Sequence, residues 1–320
     1  MNTKLLLFFG IFCAIFPGIL HARGAAGNKS LTIYSLKGSP GVGMIKLFED
    51  PPKIQGFDVK VEALAQADLI AAWFIAGEAQ VGILPPNLAA KIASSRDIRV
   101  AAIVGTGMLS LLSSDPSVRS IEDLRGKTVE IAGQGATPDF VFRKILSSRG
   151  INPDSALRLG YSLAPPEIAQ SLIAGRVSLA LLPEPFATMA RVGRPDLASV
   201  ANVQEEWVRV GGYGNYPMTL LVVDGAFASA NPKAVGEILG TVNRSIEWVK
   251  ANPAEAGVLV EKHDLGIRAP VAAAAIPGSN YVFIPAIEGR QALEALFRVF
   301  LEYAPASIGG ALPGDHFYLK

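Results

Sequence analysis

The chain has 320 residues, half of them hydrophobic, with 29 basic and 28 acidic side chains and a formal charge of +1. That length holds two ordinary domains or one large one, and the apolar share is enough to bury a core, which excludes wholesale disorder. A charge so near zero leaves no electrostatic case for nucleic acid or for an anionic membrane surface.

Met1–Lys4 carries one positive charge, Leu5–Leu20 is apolar with Pro17-Gly18 inside it, and the small residues Ala22, Gly24, Ala25 and Ala26 follow. This is the order of a secretory signal peptide, with cleavage expected after Ala22, Gly24 or Ala26. The apolar run falls short of the ~20 residues a spanning helix needs. Cys13 is the only cysteine, and the Ile11-Phe12 before it are not the small residues a lipid-anchoring signal wants. With residues 1–26 removed, the chain has no disulfide, thiolate nucleophile or cysteine-based metal site. The expectation is an exported soluble protein in the periplasm or another extracytoplasmic space.

Leu31–Leu36 is rich in strand formers, and after Gly38-Ser39-Pro40 the apolar positions Val42, Ile45, Leu47 and Phe48 suit a helix. Phe57–Leu64 alternates as a strand does, Asp68–Ala76 reads as a helix, and Gln80–Leu84 is a short strand stopped by Pro85-Pro86. Ile98–Ser114 is β-rich and broken by Gly105-Thr106-Gly107. Strand, helix, strand, helix and strand then follow at Lys127–Ala132, Thr137–Arg149, Leu157–Leu163, Glu167–Ala174 and Val177–Leu182, the last stopped by Pro183-Glu184-Pro185. Trp207–Val223 contains Gly211-Gly212-Tyr213-Gly214 and a strand from Met218, and the remainder is mainly helical, with Asn231-Pro232 and Asn252-Pro253 as helix starts.

Residues 31–93 run again, without a gap, at 129–191. Under that shift of 98 positions Pro40 falls on Pro138, Lys46 on Lys144, Ile75-Ala76-Gly77 on Ile173-Ala174-Gly175, and Leu84-Pro85 on Leu182-Pro183. One register kept through strand, helix and turn predicts two similar α/β units, each a parallel sheet covered by helices. The two glycine-rich interruptions read as chain crossings between lobes. The predicted division is residues 27–107 with 215–320 in one lobe and 108–214 in the other, the helical remainder completing the first.

The cleft between two such lobes is where function is expected. Both copies place a hydroxyl before proline after the first strand, at Ser39-Pro40 and Thr137-Pro138. Read as helix N-caps, these starts offer a hydroxyl and free backbone N–H groups to a ligand, and the nearby Gly38, Gly133 and Gly135 let it approach. The proline-bounded strand ends at Pro85–Asn87 and Pro183–Phe186 lie where open α/β sheets form their ligand crevice. Glu184 is the one carboxylate in these loops, able to accept from a ligand N–H or to cap a helix. Trp207, Tyr213, Tyr216, Phe186 and Tyr161 concentrate near the crossings and offer either stacking surfaces or core.

Catalytic patterns are poorly supported. Beyond the leader the histidines are His263 and His316, and the sequence shows no His-x-x-x-His, nucleophile elbow or Walker lysine. Gly133-Gln-Gly135-Ala-Thr-Pro-Asp139 lacks the third glycine of a dinucleotide loop. No cofactor, metal or catalytic residue is assigned.

Asp123-Leu-Arg-Gly-Lys127, Gly133–Asp139, Ala174-Gly175 and Leu182–Pro185 together resemble the periplasmic substrate-binding proteins of ABC importers, in the branch that takes nitrate, sulfonates, taurine and thiamine-pyrimidine precursors. The likeness spans about residues 30–320, including Ser307–Gly310. It implies a two-lobe, type II-like α/β fold that closes over a ligand. It also implies ligand contacts at Ser39, Pro85 and Asn87, at Gly135, Ala136 and Thr137, and at Glu184, with Tyr213 and Tyr216 as aromatic candidates. The implied partners are a small organic molecule, aromatic or sulfonate-like, and the permease and ATPase of the importer, with the binding protein itself a monomer. No arginine lies in these loops and Lys37 is the only lysine, which favours a neutral or weakly charged ligand over an inorganic dianion. A pyrimidine-synthase-like enzyme on the same fold and a periplasmic sensor subunit are the alternatives.

Overall fold

The computed structural model describes residues 28–320, so the leader lies outside the described residues. The first copy of the repeat contains β1 (Lys29–Leu36), α1 (Ser39–Gly43), α2 (Ile45–Glu49), β2 (Phe57–Leu64), α3 (Ala67–Ala76), β3 (Val81–Leu84) and α4 (Pro86–Ala93). β4 (Ile98–Thr106) and β5 (Leu109–Ser113) follow. The second copy contains β6 (Thr128–Ile131), α5 (Thr137–Ser148), β7 (Arg158–Gly160), α6 (Pro165–Ile173), β8 (Leu179–Pro183) and α7 (Phe186–Gly193). The chain ends with β9 (Ala198–Asn202), α8 (Val203–Arg209), β10 (Pro217–Asp224), α9 (Gly225–Ala230), α10 (Pro232–Ala251), α11 (Pro253–Lys262), α12 (Ala269–Ala275), β11 (Tyr281–Pro285) and α13 (Ala286–Tyr303).

The 98-residue shift maps β1, β2, α3 and β3 onto β6, β7, α6 and β8. Proline at the first helical position starts α4, α6, α10 and α11, where its missing N–H would have no partner anyway. The copies differ in their first helix. α5 is continuous for 12 residues, whereas its counterpart breaks at Met44 into α1 and α2. Gly41 and Gly43 weaken the helix there, and Gly41 is the one packing requires: a Cβ on it would lie 2.8 Å from the Leu36 carbonyl oxygen.

The strands form two sheets, ordered β2-β1-β3-β10-β4-β11 and β7-β6-β8-β5-β9. The repeat strands are parallel in each sheet, as expected. The crossings add an antiparallel strand that the sequence reading did not foresee: β5 pairs with β8, and β10 with β3. Parallel strands end at the cleft, so a chain arriving from the other lobe enters at that end and runs the opposite way. β3 and β8 sit in the middle of their sheets and are buried along their length, apart from Pro183 at the cleft. β11, also unforeseen, closes the far edge of the first sheet beside β4. Trp207, expected in an extended segment, lies in α8 and is buried.

The apolar core runs through both lobes. On the flank, Phe140 of α5 stacks on Tyr303 of α13 with centroids 5.9 Å apart and also meets Phe300. Lys144–Glu302 at 2.8 Å and Ser147–Tyr303 at 3.0 Å extend that seam. No described helix is long and apolar enough to cross a membrane.

Candidate functional site

Between the sheets lies a cavity of about 390 Å³. Its walls are built from repeat equivalents: Ser39 and Thr137, Pro40 and Pro138, Ala67 and Pro165, Pro85 and Pro183. Met108 from one crossing and Met218 and Thr219 of β10 form the back, and Phe186 closes the side. A larger groove of about 550 Å³ runs along α10 beside residues 50–54, but it belongs to the first lobe alone and is not shared between the copies.

Ser39 and Thr137 both line the cavity, yet neither is an N-cap. Each occupies the first helical turn, one residue inside, with Gly38 and Ala136 at the cap position and no side-chain cap bond. The reason in the first copy is backbone: the cap there has φ 95°, a conformation that favours glycine over serine. Ser39 is buried and donates to the phenolic oxygen of Tyr281 over 3.2 Å. Burial pushes the Tyr281 phenol up to about 12, with Glu184 adding to the rise against the opposing hydrogen bonds from Ser39 and Ser279. Thr137 is 2% exposed, and its hydroxyl has no hydrogen-bond partner among the described residues.

Glu184 lines the cavity but is already engaged. One oxygen accepts from the guanidinium of Arg191 at 2.7 Å and the other from the Thr188 backbone N–H at 2.9 Å. Its pKa is raised by burial, against the lowering effects of Thr188 and Arg191. The loops themselves carry no arginine, and this one reaches the carboxylate from one turn further along α7. Lys37, the one cation lining the cavity among the described residues, pairs with Asp264 at 3.4 Å.

Pro85 and Ala136 also line the cavity, whereas Asn87, Gly135, Tyr213 and Tyr216 do not. Asn87 sits inside the first turn of α4, its side-chain oxygen buried without a partner among the described residues. Gly135 turns its N–H to Asp139 at 2.9 Å, so the loop before α5 is braced from within. Tyr213 is exposed on the second crossing, and Tyr216 is core, meeting Trp207 edge-on at 5.8 Å. Tyr161 is likewise structural, donating to Asp139 at 2.7 Å.

Sequence reasoning missed Tyr281, Met108, Met218, Thr219 and the pair Ala67 and Pro165. The pair was findable, since it obeys the same shift as Ser39 and Thr137. Asp139 was missed as a brace: Arg143 holds it at 2.7 Å and also binds Asp154. The side-chain bonds that tie the first crossing down were missed as well. The Gly107 carbonyl accepts from the side-chain amides of Gln204 at 2.7 Å, Asn215 at 3.4 Å and Asn280, which places α8, the second crossing and the turn before β11 on one atom.

The fold is that of known binding proteins. An ABC transporter protein from Parabacteroides distasonis superposes with a TM-score of 0.77 at 22% identity, covering 92% of this chain and 99% of that one. The periplasmic aliphatic sulphonate binding protein SsuA from Escherichia coli gives 0.74 at 14%, covering 92% and 93%. The periplasmic nitrate-binding protein NrtA from Synechocystis gives 0.61 at 12%, covering 82% and 74%. A comparison with curated proteins finds no match. The sequence model of the NMT1/THI5-like family matches residues 53–256, more than half of the chain, and the protein belongs to that family.

Proposed function

We propose that the protein is the extracytoplasmic solute-binding component of an ABC importer, exported by its leader and monomeric, which captures a small organic molecule between two lobes and delivers it to a permease. The observation that carries this reading is the cavity itself, walled by matched residues of the two repeat units. Residues 27–107 with 215–320 act as one lobe and 108–214 as the other. Hinge closure over a bound solute is the mechanism such a geometry serves. The fold neighbours named for sulphonate and nitrate binding support the solute-receptor role.

The lining supports a ligand that is largely apolar and carries one group able to bond the Thr137 hydroxyl. Proline, methionine, alanine and Phe186 make most of the wall, no arginine joins it among the described residues, and Lys37 and Glu184 have partners of their own. An enzyme on this fold would need an uncommitted acid or base at the cavity, which is the weaker reading; turnover of any bound molecule by the purified protein would revive it.

Native mass spectrometry of the mature protein tests capture directly by weighing a co-purified molecule. A candidate at 100 times its dissociation constant stabilises by about 2.7 kcal/mol. The melting temperature then rises by roughly 2–4 °C for each kcal/mol. A cleft that stays empty and shifts with no organic solute from a broad panel would sink the proposal.

A further inference from the structure

The groove of about 550 Å³ along α10 lies outside the cleft and takes no part in the capture described above. Its floor is one face of the helix, where Gly236, Gly240, Arg244 and Trp248 recur every fourth residue beside Glu237 and Thr241. Residues 50–54, stiffened by Pro51-Pro52, form the facing wall. Both glycines lie inside a 20-residue helix, where glycine weakens the helix relative to an ordinary side chain. Packing does not require them. A Cβ on Gly236 would meet nothing within 4 Å, and one on Gly240 would meet only the tip of Arg244 at 3.2 Å. Their effect is to keep the floor of the groove open.

The cations of the groove are held in place without being neutralised. The Lys46 ammonium lies over the Trp248 ring, 5.0 Å from its centroid, and Arg244 donates to the Thr241 hydroxyl at 2.9 Å. Among the described residues no carboxylate pairs with either, or with Lys53 on the facing wall. The repeat shows the alternative. The 98-residue shift carries Lys46 onto Lys144, which Glu302 neutralises at 2.8 Å, and Lys53 onto Ile151. Asp50 and Glu237 also line the groove and leave it one positive charge in excess. Lys46, through Trp248, and Arg244 stand about one turn of α10 apart, while Glu237 lies about 10 Å along the axis before Arg244. We propose that this groove is a second binding site, for a small organic anion. Its phosphate or carboxylate sits between Lys46 and Arg244, and its hydroxyl or amino donors reach toward Glu237. The volume is that of a site for a molecule of sugar-phosphate or nucleotide size. The inference does not depend on the transport reading.

The test is titration calorimetry of the protein purified from its host, with glucose 6-phosphate, glucuronate and adenosine monophosphate as probes and uncharged glucose and adenosine as their controls. At least one of the anions should bind saturably, about tenfold or more tighter than its uncharged parent, and lose affinity as salt is raised. Lys46→Met and Arg244→Gln should each weaken that binding about tenfold, since each removes a charged partner of the anion. Gly236→Glu sets a carboxylate on the open floor. It should weaken the anion about tenfold or more while the melting temperature holds or rises, because a helix-interior glycine is replaced. That variant decides the matter should Lys46→Met or Arg244→Gln fold poorly. Native mass spectrometry of Gly236→Glu keeps the two sites apart: a molecule co-purified in the cleft should stay bound in this variant. An empty cleft would then end only solute capture. Saturable binding by none of the anions, equal affinity for the uncharged parents, or anion binding indifferent to Gly236→Glu would each overturn the groove assignment.

Discussion

Ser39 donates its hydroxyl to Tyr281 over 3.2 Å, and that bond makes two repeat-equivalent hydroxyls unequal. Its counterpart Thr137 meets no partner among the described residues although it is equally buried at the cavity wall. A buried hydroxyl without a partner costs about 1–3 kcal/mol, a cost that a ligand acceptor would remove on binding. In the proposed binding role, the second lobe therefore supplies the stronger polar anchor.

Thr137→Val keeps the shape and removes the hydroxyl. The empty protein should be as stable as the wild type or more so, while affinity for the co-purified solute falls about tenfold, as calorimetry would record. Ser39→Ala should weaken binding less, since its hydroxyl already serves Tyr281.

Arg191→Met tests the engagement of Glu184. It leaves a carboxylate only 3% exposed without its cation, a loss of about 3–5 kcal/mol in urea unfolding. The pH dependence follows from the sign of the shift. A carboxyl whose folded pKa lies above its ordinary 4.5 binds more protons in the native state between those two values, so its contribution to stability is greatest below 4.5 and declines as pH rises through the folded pKa. The decline should be steeper and reach higher pH in Arg191→Met, and Glu184→Gln should abolish it. Melting curves from pH 4 to 8 are the measurement.

Gln204→Leu removes one of three amides from the Gly107 carbonyl at the first crossing, where the proposed hinge lies. One such bond contributes about 0.5–1.5 kcal/mol, enough to shift an open–closed equilibrium up to about tenfold. Small-angle scattering of the ligand-free variant should show a larger radius of gyration, with the wild-type value restored by bound solute. An unchanged radius in both states would remove Gln204 from the hinge.

Phe140→Ala cuts the stack on Tyr303 that joins α5 to α13. A loss of about 3–5 kcal/mol is expected in denaturant unfolding, the usual cost of emptying a buried phenylalanine site. Solute affinity should change little, because Phe140 faces the flank and does not line the cavity.

Much of this was legible in the sequence because it is local. Pro40 and Pro138, the proline stops after β3 and β8, and the glycine-marked crossings act through neighbouring backbone, so a fixed 98-residue shift exposes two units and the walls of the cleft between them. The NMT1/THI5-like family stands on the same chain of residues. Tertiary structure decided what depends on residues far apart in the chain. Tyr281 engages Ser39 from 242 positions away, Phe140 and Tyr303 seal a flank, and Tyr216 disappears into the core beside Trp207. Those distant contacts, which no local pattern records, turned two matching hydroxyls into one that is bonded and one that is free.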